Sequence, residues 1–192
     1  MTVNETYTCN KVALFFGSFN PIHVGHIAIS KYVRDNCRVH SVRLIVSPQN
    51  PIKSKNNVSA RKRLEAAREA VAKNGLDIEV SDVEFHLRKP LYTIRTLRYL
   101  RKNEPQFDHV LVIGADNLAI IENWYRWKEI LDEFEIWVYP REGFNLVELC
   151  DKYKIVSNSS KITPLDAPLY NISSTFIRES EAKGEDMSRW KV

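Results

Sequence analysis

Short apolar runs and longer segments with helical periodicity alternate along the chain. The apolar runs predict strands at Val12–Phe16, Val42–Ser47, Ile78–Phe85, His109–Gly114, Glu135–Pro140 and Ile162–Leu165. Segments whose apolar residues recur every three or four positions predict helices at His26–Asn36, Ser59–Lys73, Thr93–Lys102, Trp124–Leu131, Leu146–Tyr153 and Ser174–Lys183. Gly75 follows the second of these helices, at the position where helices commonly end.

This alternation predicts an α/β fold in which a parallel sheet is covered by helices on both faces. The strand segments are almost continuously apolar, which is typical of strands that are buried on both sides. We therefore expect one doubly wound, Rossmann-like domain over residues 11–192, preceded by a flexible N-terminal segment, residues 1–10. Ligands of such sheets bind beyond the carboxyl ends of the strands. Two of these ends carry a glycine, Gly17 and Gly114, and we expect both to border the same crevice.

The composition is that of a globular protein. The chain has 192 residues, of which 44% are hydrophobic and 27% charged, enough for one core. No apolar run approaches the roughly 20 residues that cross a bilayer, and the polar first residues lack the pattern of a secretory signal. The three separated cysteines are expected to be free thiols. Together these features predict a cytoplasmic protein with no membrane partner.

The positive charge is dispersed along the chain. A net charge of +4 suits either nucleic acid or small phosphorylated ligands. Two clusters of basic residues lie on predicted helices, at Arg61–Arg63 on one and at Arg95, Arg98 and Arg101 on the other. This spacing favours solvated helix faces over a nucleic-acid surface, so we expect no nucleic-acid partner.

The stretch GSFNPIHVGH, residues 17–26, carries the first candidate chemistry. Gly17 lets the chain turn tightly and approach a ligand closely. His23 and His26 are three positions apart, so a first helical turn places them on one face, and Gly25 leaves room beside them. The unpaired amides of a helix start favour an anion, and imidazoles beside them can donate hydrogen bonds to phosphate oxygens.

The histidine pair has two other possible roles. A metal site needs further ligands, and no acidic residue or third ligand lies nearby in the sequence, unlike in H-E-x-x-H. The histidines could also serve only as a helix cap or as core residues. A phosphate site explains the shared face, the adjacent glycine and the helix start together, and we expect no metal bound by the protein.

The second candidate element is ISSTFIR, residues 172–178. Ser173, Ser174 and Thr175 stand at a predicted helix start, where hydroxyls and backbone amides can cap the helix and also bind an anion. Arg178 lies one turn further on, where a guanidinium can bind phosphate with two donors. Taken alone, the segment also fits a well-capped terminal helix with a surface arginine.

The third element is IGADNL followed by ENWYRWKEIL. Asp116 comes just after a strand end and can accept hydrogen bonds from the hydroxyls of a ribose. Trp124 and Trp127 are three positions apart on a predicted helix. An exposed tryptophan beside a crevice can stack on an aromatic ring, and we expect this of Trp124, with Trp127 in the core.

These motifs resemble a known superfamily of nucleotidyltransferases. GSFNPIHVGH is similar to its [ST]-F-x-P-x-H-x-G-H signature, and ISSTFIR to its I-S-S-T-x-I-R motif. The resemblance implies transfer of an AMP or CMP group onto a phosphate, with the second motif holding the β- and γ-phosphates of ATP. It implies that His23, His26 and Arg178 are catalytic. It also implies Mg²⁺ carried on ATP, with few or no protein ligands.

Within the superfamily, the chain looks most like the nicotinate mononucleotide adenylyltransferases. The G-A-D…W-x-x-W run, the segment PLYTIRTLRYL, the loop VSPQNPIKSK and the strand end WVYPREG all resemble that branch, and the resemblance extends from Val12 to Arg178. It implies ATP and nicotinate mononucleotide as partners. The implied ATP-binding residues are Gly17, Ser18, Phe19, His23, Gly25, His26, Gly114, Asp116, Ile172, Ser173, Ser174, Thr175 and Arg178. The implied mononucleotide-binding residues are Asn20, Lys53, Tyr92, Thr93, Trp124 and Arg141.

Three features depart from the family pattern. Ile52 stands where many relatives have histidine, so only Lys53 can carry the phosphate role of that loop. Arg95 replaces a common aspartate, which we expect to change surface pairing and not chemistry. We also expect the last C-terminal helix of the family to be absent, which leaves C-terminal packing and any assembly into homo-oligomers open.

The motifs fit three other functions less well. Phosphopantetheine adenylyltransferase shares both phosphate motifs, but the tryptophan pair and Y-T-I-x-T-L argue against it. A cytidylyltransferase fits I-S-S-T-x-I-R less well. A non-catalytic adenine-nucleotide sensor domain would bind ATP without releasing pyrophosphate. Every phosphate-handling position except that of Ile52 is filled, which favours the enzyme.

Overall fold

The computed structural model describes residues 9–48, 58–156 and 161–192. Its strands are β1 (Lys11–Gly17), β2 (Ser41–Val46), β3 (Glu79–Ser81), β4 (Asp108–Gly114), β5 (Glu135–Tyr139) and β6 (Ile162–Pro164). Its α-helices are α1 (Val24–Asn36), α2 (Ala60–Lys73), α3 (Thr93–Asn103), α4 (Ala115–Ala119), α5 (Trp127–Glu133), α6 (Leu146–Val156) and α7 (Ser174–Ala182). The strands form one sheet in the order β3-β2-β1-β4-β5-β6, and all its pairs are parallel. The predicted doubly wound, Rossmann-like fold is confirmed.

The strand order reverses beside β1. This strand pairs with β2 on one side and with β4 on the other, so successive crossovers leave it in opposite directions. Such a switch point opens a crevice at the carboxyl ends of the two central strands. Gly17 ends β1 opposite Val46, and Gly114 ends β4 opposite Tyr139. The two glycines therefore lie where the sequence predicted them, at the carboxyl edge of the sheet.

Both faces of the sheet are covered, as the apolar runs predicted. Along β1, Val12 and Leu14 belong to the apolar core on one face, and Ala13 and Phe15 to the core on the other. Val12, Ala13 and Leu14 are fully buried. This packing explains why the strands are continuously apolar instead of alternating with polar residues.

The strand predicted at Ile78–Phe85 is correct only in its first half. Extended pairing stops at Ser81, and a 3₁₀ turn follows over Val83–Phe85. The hydroxyl of Ser81 accepts a hydrogen bond from the backbone N–H of Val83 at 3.3 Å, which favours the turn over a longer strand. The turn places the side chain of Glu84 at the crevice.

The prediction of a helix from Trp124 was wrong in its first turn. A 3₁₀ turn over Ile121–Asn123 comes first, Trp124 is extended, and Arg126 takes a left-handed conformation with φ 55°. Helix α5 begins only at Trp127. The two tryptophans therefore do not share a helical face. Trp127 packs at the core with its ring edge-on to Tyr153, whereas Trp124 lines the crevice.

The prediction of solvated arginines holds for one basic cluster and fails for part of the other. On α3, Arg98 and Arg101 form ion pairs with Glu133 of α5 at the protein surface. On α2, Arg61 is exposed, but Arg63 is only 2% exposed. Arg63 lies on the apolar face of α2, with the other buried residues of this helix, and is not a surface residue.

Two expectations drawn from composition concern the cysteines and the membrane. Cys9, Cys37 and Cys150 carry free thiols, and burial raises the pKa of the Cys150 thiol to about 11. Across the described ranges, none of the helices has both the length and the apolar character needed to span a membrane.

Candidate active site

A crevice of about 340 Å³ opens at the carboxyl edge of the sheet, above β1 and β4. Most of the residues predicted to bind substrates line it. They are Gly17, Ser18, Phe19, His23, His26, Tyr92, Thr93, Gly114, Asp116, Trp124, Arg141, Ser173, Ser174 and Thr175. Asn20, Gly25, Ile172 and Arg178 are not among the residues that line the crevice. Lys53, like Ile52, lies outside the described residues.

The two histidines of the first motif lie at the start of α1. The turn after β1 passes through Phe19, whose φ is 44°, and His23 is the N-cap residue of α1. The rings of His23 and His26 are stacked, with centroids 3.6 Å apart and planes inclined by 26°. The prediction that a first helical turn brings them together on one face is confirmed.

A hydrogen bond to the backbone fixes the orientation of the His26 ring. The backbone N–H of His23 donates to Nδ1 of His26 at 3.2 Å. Because Nδ1 accepts this bond, the neutral ring carries its proton on Nε2. The ring is half-buried and lines the crevice. It can therefore act as a hydrogen-bond donor towards an anionic ligand.

The His23 ring is buried and neutral. The residue is 2% exposed, and neither ring nitrogen has a hydrogen-bond partner among the described residues. Burial and, to a lesser extent, the charge of Arg141 lower the pKa of His23 from 6.5 to about 4. Burying a polar ring without hydrogen-bond partners costs free energy. An anion bound in the crevice would accept a hydrogen bond from the N–H of this ring.

The lowered pKa of His23 predicts that stability falls in mild acid. The unfolded chain takes up the proton near pH 6.5 and the folded chain only near pH 4, so stability is lost as the pH falls through this window. We expect the His23 contribution to the free energy of unfolding to drop by about 2 kcal/mol between pH 7 and pH 5. Urea unfolding of the parent and of His23→Asn at both pH values measures this difference. Parallel pH dependence in the two proteins would contradict it.

The second motif is joined to the first by hydrogen bonds. Ser173 caps α7 by accepting a hydrogen bond from the N–H of Phe176 at 3.1 Å. The Ser174 hydroxyl donates to the backbone carbonyl of Pro21 at 2.9 Å. Arg178 donates to the carbonyl of Asn20 at 2.6 Å, and also to Thr175 Oγ1 at 3.1 Å. The start of α7 therefore lies directly beside the turn that leads into α1.

Gly25 makes this close approach possible. A Cβ at this position would lie 2.7 Å from Cγ2 of Ile172 and 3.1 Å from Nδ1 of His23. Such a separation from Ile172 is closer than real Cβ atoms come to other groups, so a larger residue would push the two motifs apart. The prediction that Gly25 leaves room beside the histidines is confirmed.

Asp116 and Arg141 bridge the third motif to the second. The Arg141 guanidinium lies 3.4 Å from Asp116 Oδ1 and donates to the carbonyl of Ile172 at 2.9 Å. It also lies over the ring of Tyr139. Arg141 thus stands on the side of the crevice formed by α4 and the ISSTFIR segment. Its role with the mononucleotide stays a prediction.

Aromatic residues form part of the wall of the crevice. The rings of Tyr92 and Tyr125 are stacked at 4.3 Å, and Trp124 lies next to them in the chain and lines the same crevice. Helix α3 begins at Thr93. The Arg95 guanidinium lies over the rings of both tyrosines, at 5.4 and 5.8 Å. Arg95, which departs from the family pattern, therefore places a positive charge over these two aromatic rings.

Sequence reasoning missed several residues that line the crevice, among them Ser47, Glu84, Asn117 and Tyr125. Glu84 is 3% exposed, and its carboxylate accepts a hydrogen bond from the Thr96 hydroxyl at 2.8 Å. Burial raises the pKa of Glu84, although hydrogen bonds from Ser47 and Thr96 oppose the shift. The sequence offered no signal for Glu84, because the predicted strand ran through it.

Comparison with known proteins finds relatives over most of the chain. A family model described as cytidylyltransferase-like matches residues 14–180. A probable nicotinate-nucleotide adenylyltransferase of Bacteroides fragilis (strain YCH46) is 38% identical over 178 residues, covering 92% of this chain and 85% of the relative. A probable nicotinate-nucleotide adenylyltransferase of Flavobacterium johnsoniae is 36% identical over 180 residues, which cover 92% of this chain and 89% of the relative.

Solved structures show the same fold. The nicotinic acid mononucleotide adenylyltransferase of Plasmodium falciparum, complexed with NaAD, superposes with a TM-score of 0.77. The alignment covers 93% of this chain and 87% of that one, at 18% sequence identity. A putative nicotinate-nucleotide adenylyltransferase of Vibrio parahaemolyticus gives a TM-score of 0.65 at 21% identity. The alignment covers 95% of this chain and 87% of that one.

Proposed function

The chain belongs to the cytidylyltransferase-like family and, within it, to the nicotinate-nucleotide adenylyltransferases, and we propose that it transfers the adenylyl group of ATP to nicotinate mononucleotide. The products are nicotinate adenine dinucleotide and pyrophosphate. The reaction is the adenylylation step of NAD synthesis. The sequence-based assignment to this family is confirmed.

One observation carries the proposal: the starts of α1 and α7 lie side by side at a crevice that the aromatic residues Tyr92, Trp124 and Tyr125 also line. Hydrogen bonds from Ser174 to Pro21 and from Arg178 to Asn20 hold the helix starts together. Each first turn has backbone amides without intrahelical partners, which favour phosphate. The aromatic wall around Trp124 suits a flat ring. This arrangement supports a ligand with several phosphates at one end and a base at the other.

The attacking group in this reaction is the 5′-phosphate of the mononucleotide, which is already an anion at neutral pH. No general base is needed, and no covalent intermediate with the protein is implied. Catalysis then rests on alignment of the two substrates for in-line attack at the α-phosphorus. It also rests on donors that meet charge as it grows on the transferring and leaving oxygens.

The roles of individual residues follow from where they lie. His23 and His26 donate to the ATP phosphates, and the Ser173–Thr175 turn binds the departing pyrophosphate. Arg178 closes this end of the site, and it exchanges one of its bonds to protein carbonyls for a phosphate oxygen. Asp116 accepts hydrogen bonds from a ribose. Lys53 is proposed to steady the incoming phosphate.

Mg²⁺ is proposed to arrive on the oxygens of ATP. Within the described part of the chain, no group of three or more histidine, cysteine, aspartate or glutamate side chains is placed to hold a metal ion. Asp116, whose carboxylate lines the crevice, is already paired with Arg141. These residues fit a metal that is bound mainly by the substrate, whose charge it neutralises.

A pyrophosphate-release assay tests the proposed reaction. The protein, ATP and Mg²⁺ are combined in turn with nicotinate mononucleotide, nicotinamide mononucleotide and phosphopantetheine, and CTP replaces ATP in a further arm. Turnover is expected with ATP and nicotinate mononucleotide, and not with phosphopantetheine or CTP. Faster turnover with phosphopantetheine would overturn the assignment. ATP binding without pyrophosphate release from any acceptor would make the chain a sensor domain.

We predict a preference for the acid ring over the amide ring of at least about tenfold in kcat/KM, or about 1.4 kcal/mol. The first-turn amides of α3, which begins at Thr93, favour a carboxylate. A carboxamide would place its NH₂ group against the same donors and leave them unpaired. Steady-state kinetics with both mononucleotides measures the ratio.

Two tryptophan variants separate stacking from this discrimination. Trp124→Ala should raise KM for both mononucleotides and leave their ratio within about twofold, because stacking hardly distinguishes the two rings. Trp127→Ala is the matched control, since this ring packs against Tyr153 and does not line the crevice. It should lower stability and leave KM unchanged. If the parent protein uses nicotinate mononucleotide and nicotinamide mononucleotide equally well, the proposed role of the first-turn amides of α3 is wrong.

A further inference from the structure

Arg63 occupies a buried position that its basic neighbours do not share. It is 2% exposed, and its guanidinium reaches three backbone carbonyls across two turns. It donates to the carbonyl of Ser18 in the turn after β1, and to those of Ser47 and Pro48 after β2, the latter two at 3.0 and 2.9 Å. One side chain therefore ties together the carboxyl ends of two neighbouring strands.

Both tied turns belong to the crevice. Ser18 and Ser47 line it, and Ser18 lies in the motif that leads to the two histidines. The distance between these turns therefore affects the shape of the crevice at the carboxyl ends of β1 and β2.

The charge of Arg63 has no counter-ion in the described ranges. No carboxylate there forms an ion pair with it, and its Nε is buried without a hydrogen-bond partner. Burial lowers the pKa of Arg63, but a guanidinium stays protonated at neutral pH. An unpaired buried charge costs several kcal/mol unless something compensates it. Carbonyl dipoles compensate only in part, and an anion bound in the crevice would supply the opposite charge.

We propose that Arg63 is a positioning residue for the adenylyl transfer, which holds the turns after β1 and β2 in one arrangement and places a positive charge beneath the anionic substrates. The proposal rests on the function proposed above. The two effects of Arg63 can be separated. Holding the two turns together requires the planar set of guanidinium donors, whereas attracting the anionic substrates requires only the positive charge.

Three variants separate these parts. Arg63→Lys keeps the charge and loses the fork, Arg63→Met loses both, and Arg61→Met removes an exposed arginine from the same helix as a control. We expect kcat to fall about tenfold in Arg63→Lys with both KM values nearly unchanged. In Arg63→Met we expect kcat to fall about a hundredfold, the scale of a misalignment of about 1 Å, and both KM values to rise severalfold. The control should stay within about twofold in every constant.

Calorimetric titration with ATP and Mg²⁺, without an acceptor, gives a readout that does not need turnover. Arg63→Met should bind ATP about tenfold more weakly than the parent, and Arg61→Met equally well. If the parent turns over no acceptor but this difference in ATP binding is found, the proposed reaction fails and the charge part of the Arg63 proposal is supported. If the parent is active and both Arg63 variants keep kcat and KM within about twofold, the proposal is overturned, even if they melt at lower temperature. If Arg63→Met does not fold, an unchanged kcat in Arg63→Lys overturns it.

Discussion

Replacement of His26 by alanine is expected to lower kcat by about a hundredfold or more. In the structure, Nδ1 of His26 accepts the backbone N–H of His23, so the neutral ring carries its proton on Nε2 and can donate to a phosphate oxygen. A donor that meets charge developing in the transition state is worth about a hundredfold or more in kcat. Pyrophosphate release under saturating ATP and nicotinate mononucleotide measures the loss.

An asparagine at the same position separates catalysis from capping. The side-chain oxygen of His26→Asn can still accept the His23 amide, but the variant lacks a donor at the position of Nε2. We expect His26→Asn to melt within a few degrees of the parent and to be as slow as His26→Ala. If His26→Ala melts early and turns over at a near-normal rate, the histidine is a structural cap and the prediction is wrong.

The second large effect is expected from Gly25→Ala, which should lower kcat/KM by about a hundredfold. The added methyl group would lie 2.7 Å from Cγ2 of Ile172, so either α1 or the ISSTFIR segment must shift. A shift of about 1 Å between the two turns that are proposed to bind phosphate is enough for a loss of this size. Helix propensity alone acts in the opposite direction, since alanine stabilises a helix over glycine by up to about 1 kcal/mol.

A double variant tests the cause of this loss. Ile172→Ala removes the methyl group that the new side chain would meet, so Gly25→Ala combined with Ile172→Ala should recover part of the activity lost in Gly25→Ala alone. Such a coupling identifies the contact, because independent sites would add their losses. Equal activity of Gly25→Ala and the parent would show that the segments tolerate separation.

The fold could be predicted from sequence because its information is local. Each buried strand is a short apolar run, and each covering helix shows its own period, so the alternation of the two specifies a parallel sheet. The two candidate phosphate motifs are visible in the sequence for the same reason. The histidines and the serine-rich turn each lie within a few residues at a helix start, and both starts face the carboxyl edge of the sheet.

The remaining features depend on contacts that are distant in sequence. Nothing local requires Arg126, a residue other than glycine, to take a left-handed conformation, so the turn before α5 was predicted as helix. Glu84 reaches the crevice because β3 stops early. Arg63 offered a signal that was overlooked: it precedes Ala67 by four positions and so lies on the apolar face of α2. The carbonyls that receive its donors could not be predicted from sequence.

Two hydrogen bonds connect the start of α7 with the turn before α1, from Ser174 to Pro21 and from Arg178 to Asn20. In each, the two residues are more than 150 positions apart in the chain. During synthesis, the six strands and the turn carrying the histidines leave the ribosome before α7 does. A nascent chain at that stage can form the sheet but contains only one of the two helix starts that are proposed to bind the phosphates. Under the proposed function, high affinity for ATP therefore arises late, when α7 docks, and a bound nucleotide protects this last docking against local opening, since a ligand stabilises the state it binds. Proteolysis near α7 should accordingly slow as the nucleotide concentration rises, before the rest of the domain shows any change.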